Sequence, residues 1–145
     1  ADEIKKSDID AVTEPVLDAV VFQMTDMLSE GKYGPALQKL QQLLKMQQEP
    51  IAILGAIGGH FRRMSTARAL LDHGKSSSDL MRLCGMADYP ARKTMSAAGR
   101  FSAKFYAKAA ELVLESDRQM KTSFDDPKRI LEVLIMGLAR EVRDA

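Results

Sequence analysis

A chain of 145 residues with 46% hydrophobic and 28% charged side chains has material for one domain with its own core, and excludes a disordered or fibrous chain. Its single cysteine excludes an internal disulfide and points to a reducing, cytoplasmic setting. Net charge is only +1, yet residues 1–30 hold eight acids and two lysines while the remainder holds nineteen bases against twelve acids. Between His60 and Lys108 ten Lys/Arg face three Asp, so this middle section is either an ordinary solvated surface or one that meets nucleic acid or an acidic partner.

Lys5 and Lys6 lead into Ser7-Asp8-Ile9-Asp10 and not into an apolar run, so no secretory signal is expected. The start at Ala1 without Met, followed by an acidic stub, reads as a piece of a longer protein. Ser7 to Val12 fits one or two capped helical turns, too short to stand alone. From Pro15, the stripe Leu17, Val20, Val21, Met24 and Leu28 predicts a helix stopped by Gly31. Pro35 opens a second helix with Leu37, Leu40, Leu43 and Leu44 inward, ending before Glu49 because residues preceding proline avoid the α region. The short link makes these two helices antiparallel neighbours.

Pro50 to Gly74 predicts a central helix, with proline at the first position and glycine just past the end, about 36 Å long at 1.5 Å per residue. Ile53, Leu54, Ile57, Phe61, Met64 and Leu71 share one face. Ala52, Gly55, Ala56 and Gly59 form another, and glycines inside a helix need a reason. The expected reason is a second helix backbone approaching closely; a ligand is the alternative. The uncharged run from Pro50 to Phe61 is too short to span a bilayer, so no membrane is expected.

Beyond Gly74, Lys75 to Asp79 is a turn and cap, Leu80 to Cys84 a short helix closed by Gly85, and Asp88 to about Ala98 a further helix. Cys84, among Leu80, Met81 and Leu83, is expected to be a buried structural thiol. Ser102 caps a long helix to about Thr122 with Phe105, Tyr106, Ala109, Leu112, Val113 and Met120 inward. Its outer stripe carries Glu115–Arg118 and Asp117–Lys121 at ion-pair spacing. Asp126 caps the last helix, whose first residue is Pro127 and whose buried set is Ile130, Leu131, Leu134, Ile135, Leu138 and Val142. With no period-2 segment and no internal repeat, the expected fold is all-α, a single bundle of six or seven helices.

Several motifs fail on inspection. Gly74-Lys75-Ser76 resembles the end of a phosphate-binding loop, but Ala69 stands where that loop needs its first glycine, and a helix precedes it where a strand should. His60 and His73 are the only histidines and point about 140° apart on one helix, with no cysteine or carboxylate cluster to complete a zinc site. Asp125-Asp126 reads as a helix cap. No nucleophile, base and acid constellation is present, so no catalytic residue, metal or cofactor is assigned and the chain is not read as an enzyme. Residues 79–98 have a helix-turn-helix outline in which Ala91, Arg92, Lys93 and Thr94 would face the major groove. Phe124, beside Lys121, either packs back near Leu131 or stacks on a base at a nucleic-acid end.

An ordered set of residues carries a resemblance. Glu49-Pro50-Ile51 to Leu54, His60-Phe61-Arg62-Arg63, Leu83-Cys84-Gly85-Met86 with Tyr89 and Arg92-Lys93, Phe101-Ser102, and Glu115-Ser116-Asp117 with Lys121-Thr122-Ser123 occur in one order along the chain. Together they resemble the C-terminal part of bacterial DNA polymerase III delta subunits over about Val16 to Arg143. Residues 1–14, with Ile4, Ile9 and Val12, look like the end of a preceding lid domain or a linker, and 15–145 like the helical collar domain.

The resemblance implies a part of the clamp loader in which C-terminal domains of five subunits close into a collar. The implied partners are the other loader subunits, delta prime and gamma/tau, with the sliding clamp gripped by N-terminal parts of delta and DNA met indirectly. Candidate interface residues are Arg62, Arg68, Arg92 and Lys93; Lys121 and Phe124 are candidates for DNA proximity. Arg68 lies in line with Leu54, Ile57 and Phe61, where a charge needs either a carboxylate from a neighbouring subunit or a side chain extended to water. The alternative function is a basic all-α nucleic-acid-binding module using Arg92, Lys93, Arg100, Lys104 and Lys108.

Overall fold

Helix-ending backbone turns divide the chain into its elements. In a computed structural model describing residues 14–144, the seven helices are α1 Glu14–Ser29, α2 Tyr33–Lys45, α3 Pro50–Asp72, α4 Ser77–Cys84, α5 Asp88–Ala98, α6 Ala103–Thr122 and α7 Pro127–Asp144. The capped turns expected around Ser7 to Val12 lie outside the described residues. After α1, Gly31 takes a left-handed φ of +77°, and the N–H of Lys32 reaches back to the carbonyl of Met27 at 2.8 Å. Gly74 closes α3 in the same way, at φ +67° with Lys75 N–H on the Leu70 carbonyl at 2.8 Å. Both turns satisfy carbonyls that a helix end leaves without partners. After α2 the left-handed residue is Gln47, at φ +61°.

The helices match the expected order, with shifted starts. α2 begins at Tyr33, two residues before Pro35, because a proline in the first turn forfeits no hydrogen bond. α4 begins at Ser77 and not Leu80, its first turn held by the Ser76 N–H on the Asp79 carboxylate at 3.1 Å. The Ser102 hydroxyl accepts from Phe105 N–H at 3.0 Å and starts α6; Asp126 accepts from Lys128 N–H at 3.0 Å and starts α7.

α3 is the spine. It packs against α1, α4, α5, α6 and α7, while α2 packs on α1 and α7. The main core gathers Val21, Leu40, Ile57, Phe105, Leu131 and Leu138 around it, and Phe101 stacks on Phe105 with centroids 4.2 Å apart. A smaller core of Ala67, Leu80, Ala91, Met95 and Ala98 fixes the α4–α5 hairpin to the second half of α3.

Two expectations about α3 need correction. Leu71 is 41% exposed, because the last turn runs beyond the helices that cover Met64. The small-residue face is not covered by a second backbone: Ala52 and Gly55 are exposed, and a methyl built at Gly55 would meet nothing within 4 Å. Gly59 is buried beneath the guanidinium of Arg63 from its own helix, 3.1 Å from where a Cβ would sit. The close helix approach occurs at Gly58, where Val113 Cγ1 of α6 lies 3.2 Å from that position. Small residues at helical spacing mark where a neighbour can approach, and do not say whether one does.

Candidate subunit interface

The uncovered glycine belongs to a cleft. Along the outer side of the α3–α6 contact, Gly55 and Gly58 lower one wall and Ala110 the other, leaving a volume of about 620 Å³. Ile51 and Leu114 flank it, 51% and 71% exposed, although a leucine or isoleucine on a helix usually faces the core. The cleft's other end is charged. Arg62 comes from α3, and Asp117 and Lys121 of α6 pair at 2.9 Å. Among the described residues Arg62 forms no ion pair. Apolar walls next to a charged end are the makeup of a helix-packing surface between proteins.

The sequence candidates do not gather in one place. Arg62 and Lys121, assigned to different roles, share this cleft. Arg68 is satisfied within the chain: Nη1 donates to the Phe101 carbonyl at 2.7 Å and Nε to Asp72 at 3.3 Å. It ties α3 to the α5–α6 turn, so its partial burial calls for neither a neighbour's carboxylate nor a fully extended side chain. Tyr106 reinforces the same corner by donating to the Ala98 carbonyl at 2.7 Å, and burial pushes its phenol pKa up.

Arg92 donates to Asp88 at 3.0 Å and lies over the Tyr89 ring at 5.9 Å. Lys93 Nζ sits 4.4 Å from the centre of the Phe22 ring on α1. Ala91 and Thr94 are buried, so the residues that a groove-reading helix would present are turned inward or already engaged. The helix-turn-helix reading of 79–98 is therefore not favoured. Phe124, in the turn after α6, does not pack near Leu131: it is fully exposed, while Leu131 is fully buried without it. Cys84 is half-buried, not enclosed.

Sequence reasoning did not give His60 a role. It is buried on α3, with Nε2 2.8 Å from the Thr25 hydroxyl of α1, and that hydroxyl donates to the Phe22 carbonyl at 3.0 Å. A hydroxyl has one proton to give, so His60 Nε2 carries the hydrogen and donates to Thr25. Burial, with Arg63 and Lys93 nearby, pushes the imidazole pKa down to about 3 and keeps it neutral. The available signal was a polar residue on each of two facing apolar stripes, Thr25 and His60, thirty-five positions apart. Among the described residues no group of His, Cys, Asp and Glu has the makings of a metal site, and no helix is long and apolar enough to cross a membrane.

This all-α bundle has the fold of a solved clamp-loader delta protein. The chain belongs to the family described as DNA polymerase III delta subunit, C-terminal domain, whose model matches residues 18–138. It is 23% identical over 139 residues to the DNA polymerase III subunit delta of Bacillus subtilis, spanning 96% of this chain and 40% of that protein. It also resembles the solved Bacillus subtilis DNA clamp loader delta protein with a TM-score of 0.81 at 23% identity, over 86% of this chain and 37% of that one. The chain thus spans about two fifths of the length of the relatives it matches.

Proposed function

We propose that this chain is the collar part of a clamp-loader delta subunit, and that it joins neighbouring loader subunits, delta prime and gamma/tau, by helix packing through the α3–α6 cleft. Membership of the delta C-terminal family across residues 18–138 carries the reading. The exposed Ile51 and Leu114 beside an uncovered Gly55 support the choice of surface. Its role is assembly in the cytoplasm and not catalysis; gripping the sliding clamp falls to parts of a delta subunit beyond this chain. Arg62 supplies a charge at the rim of the contact, where it sets partner choice more than affinity. Lys93 lines a different cleft and Arg92 is paired with Asp88, so neither is assigned a part in this one. Phe124, exposed near Lys121, is left as the group closest to DNA, placed to stack on a base at a primer end.

The test is binding of the chain to C-terminal domains of the other loader subunits with Leu114→Asp introduced. Leu114 is 71% exposed, so the fold should be retained. Truncating or charging an apolar anchor at the centre of an interface typically costs about 2 kcal/mol or more. Affinity is therefore expected to fall roughly thirtyfold. Unchanged affinity would remove the cleft from the interface.

A further inference from the structure

A second cleft, of about 570 Å³, lies on another face of α3 and shares no lining residue with the first. α1 supplies Asp18 and Phe22, α3 supplies His60 and Arg63, the α4–α5 turn supplies Met86, and α5 supplies Lys93. Its charges are unbalanced. Lys93 forms no ion pair among the described residues and rests on the Phe22 ring. Arg63 reaches Asp18 only at 3.8 Å, too far for a hydrogen bond, so its donors stay available. Among the described residues, two cations therefore face one carboxylate over an apolar floor.

His60 adds a directional group. The residue is 3% exposed, and Nε2 is spent on Thr25. Nδ1 is then a bare lone pair. Among the described residues it has no hydrogen-bond partner, and no fully enclosed side-chain nitrogen or oxygen among them lacks one, so Nδ1 retains contact with the cleft that His60 lines. An acceptor that is open to the cleft and unpaired among the described residues can take a donor from the occupant. Inorganic phosphate near neutral pH offers mainly acceptors and no hydrocarbon for Phe22 and Met86, and its dense charge would meet Asp18. A peptide offers a carboxylate, an apolar side chain and backbone N–H groups together.

We propose that this cleft receives an extended acidic segment of a partner protein. An Asp or Glu carboxylate sits between Arg63 and Lys93, the apolar residue beside it lies against Phe22 and Met86, and a backbone N–H of the segment donates to His60 Nδ1. The proposal does not depend on the collar reading, since the two clefts share no residue and the segment could come from any protein with this chemistry.

The test is a titration of the 15N-labelled 145-residue chain, followed by NMR, with the blocked peptide Gly-Phe-Asp-Gly, the same peptide with Asn in place of Asp, and inorganic phosphate. The expected result is saturable shifts at Phe22, His60, Arg63 and Lys93, with the His60 Nδ1 resonance moving as it accepts a hydrogen bond. The Asn peptide should bind about tenfold more weakly, as loss of a charge-assisted hydrogen bond requires. Lys93→Glu, at an exposed position, should weaken the Asp peptide similarly, whereas Arg92→Glu, outside the lining, should not. Equal binding of the two peptides, phosphate binding as tightly as the Asp peptide, or no shifts at about 10 mM peptide, a concentration that populates even very weak complexes, would overturn the proposal.

Discussion

Thr25 and His60 place a polar contact in the middle of the α1–α3 packing, and that contact makes stability depend on pH. The folded chain keeps His60 neutral down to about pH 3, whereas an unfolded imidazole takes a proton near 6.5. Between those values the unfolded state binds more protons, so stability is full above about 6.5 and falls as the pH drops. Urea unfolding at pH 7.5 and pH 5 should differ by about 2 kcal/mol from this group, at about 1.4 kcal/mol per unit below 6.5. His60→Gln should remove that part of the difference; the same pH dependence in the variant would show that His60 is not its source. Gln47 is the other residue with a measurable cost. It holds φ +61° without being glycine, a conformation that costs an L-residue about 1 kcal/mol or more. Gln47→Gly should raise the thermal midpoint, with a gain near 1 kcal/mol in unfolding free energy, and a loss would mean that the Gln47 side chain contributes more than its backbone strain removes. Neither property was legible in the sequence: the partner of His60 lies on another helix, and Gln47 occupies a position where the ordinary signal is a glycine.

At the level of elements, the helices were legible because each carries a local mark: Gly31 and Gly74 past two ends, Pro50 and Pro127 at two starts, Ser102 as a cap, and apolar stripes between them. What was not legible is which neighbour each stripe meets. Leu71 continues the stripe of Met64 but outruns the bundle, and the face of Ala52 and Gly55 carries spacing without a partner inside the chain. The two glycines of the first cleft should therefore respond differently. Gly55→Ala adds a methyl that meets nothing and should stabilise the isolated chain by up to about 1 kcal/mol through helix propensity alone. Gly58→Ala places its methyl 3.2 Å from Val113 Cγ1, so the same propensity gain is offset by displacement of α6. Chemical denaturation of both variants checks the contrast, and a larger gain at Gly58 than at Gly55 would contradict the α3–α6 geometry. Gly55→Leu should keep the fold while obstructing a partner helix, which separates the glycine's role in binding from its role in folding.

For the whole molecule, the all-α bundle and the delta-subunit resemblance were both readable from ordered residues spread over the chain, and the family match over residues 18–138 agrees with them. The candidate site was less readable. Of the cations singled out, Arg62 reached the α3–α6 cleft, Arg68 and Arg92 found acceptors within the chain, and Lys93 went to the second cleft beside Arg63. Charge in a sequence shows that a surface is basic, and only packing shows which cations remain free to meet a partner. The proposed role needs a surface that is monomeric alone and adhesive toward particular subunits, which suits a cleft of moderate size flanked by two exposed apolar residues. The most direct measurement is light scattering after size-exclusion chromatography of the 145-residue chain, alone and mixed with C-terminal domains of the other loader subunits. A defined larger complex in the mixture only, lost with Leu114→Asp, is the expected result. Unchanged masses on mixing at tens of micromolar, or a complex that Leu114→Asp leaves intact, would contradict assembly through the α3–α6 cleft.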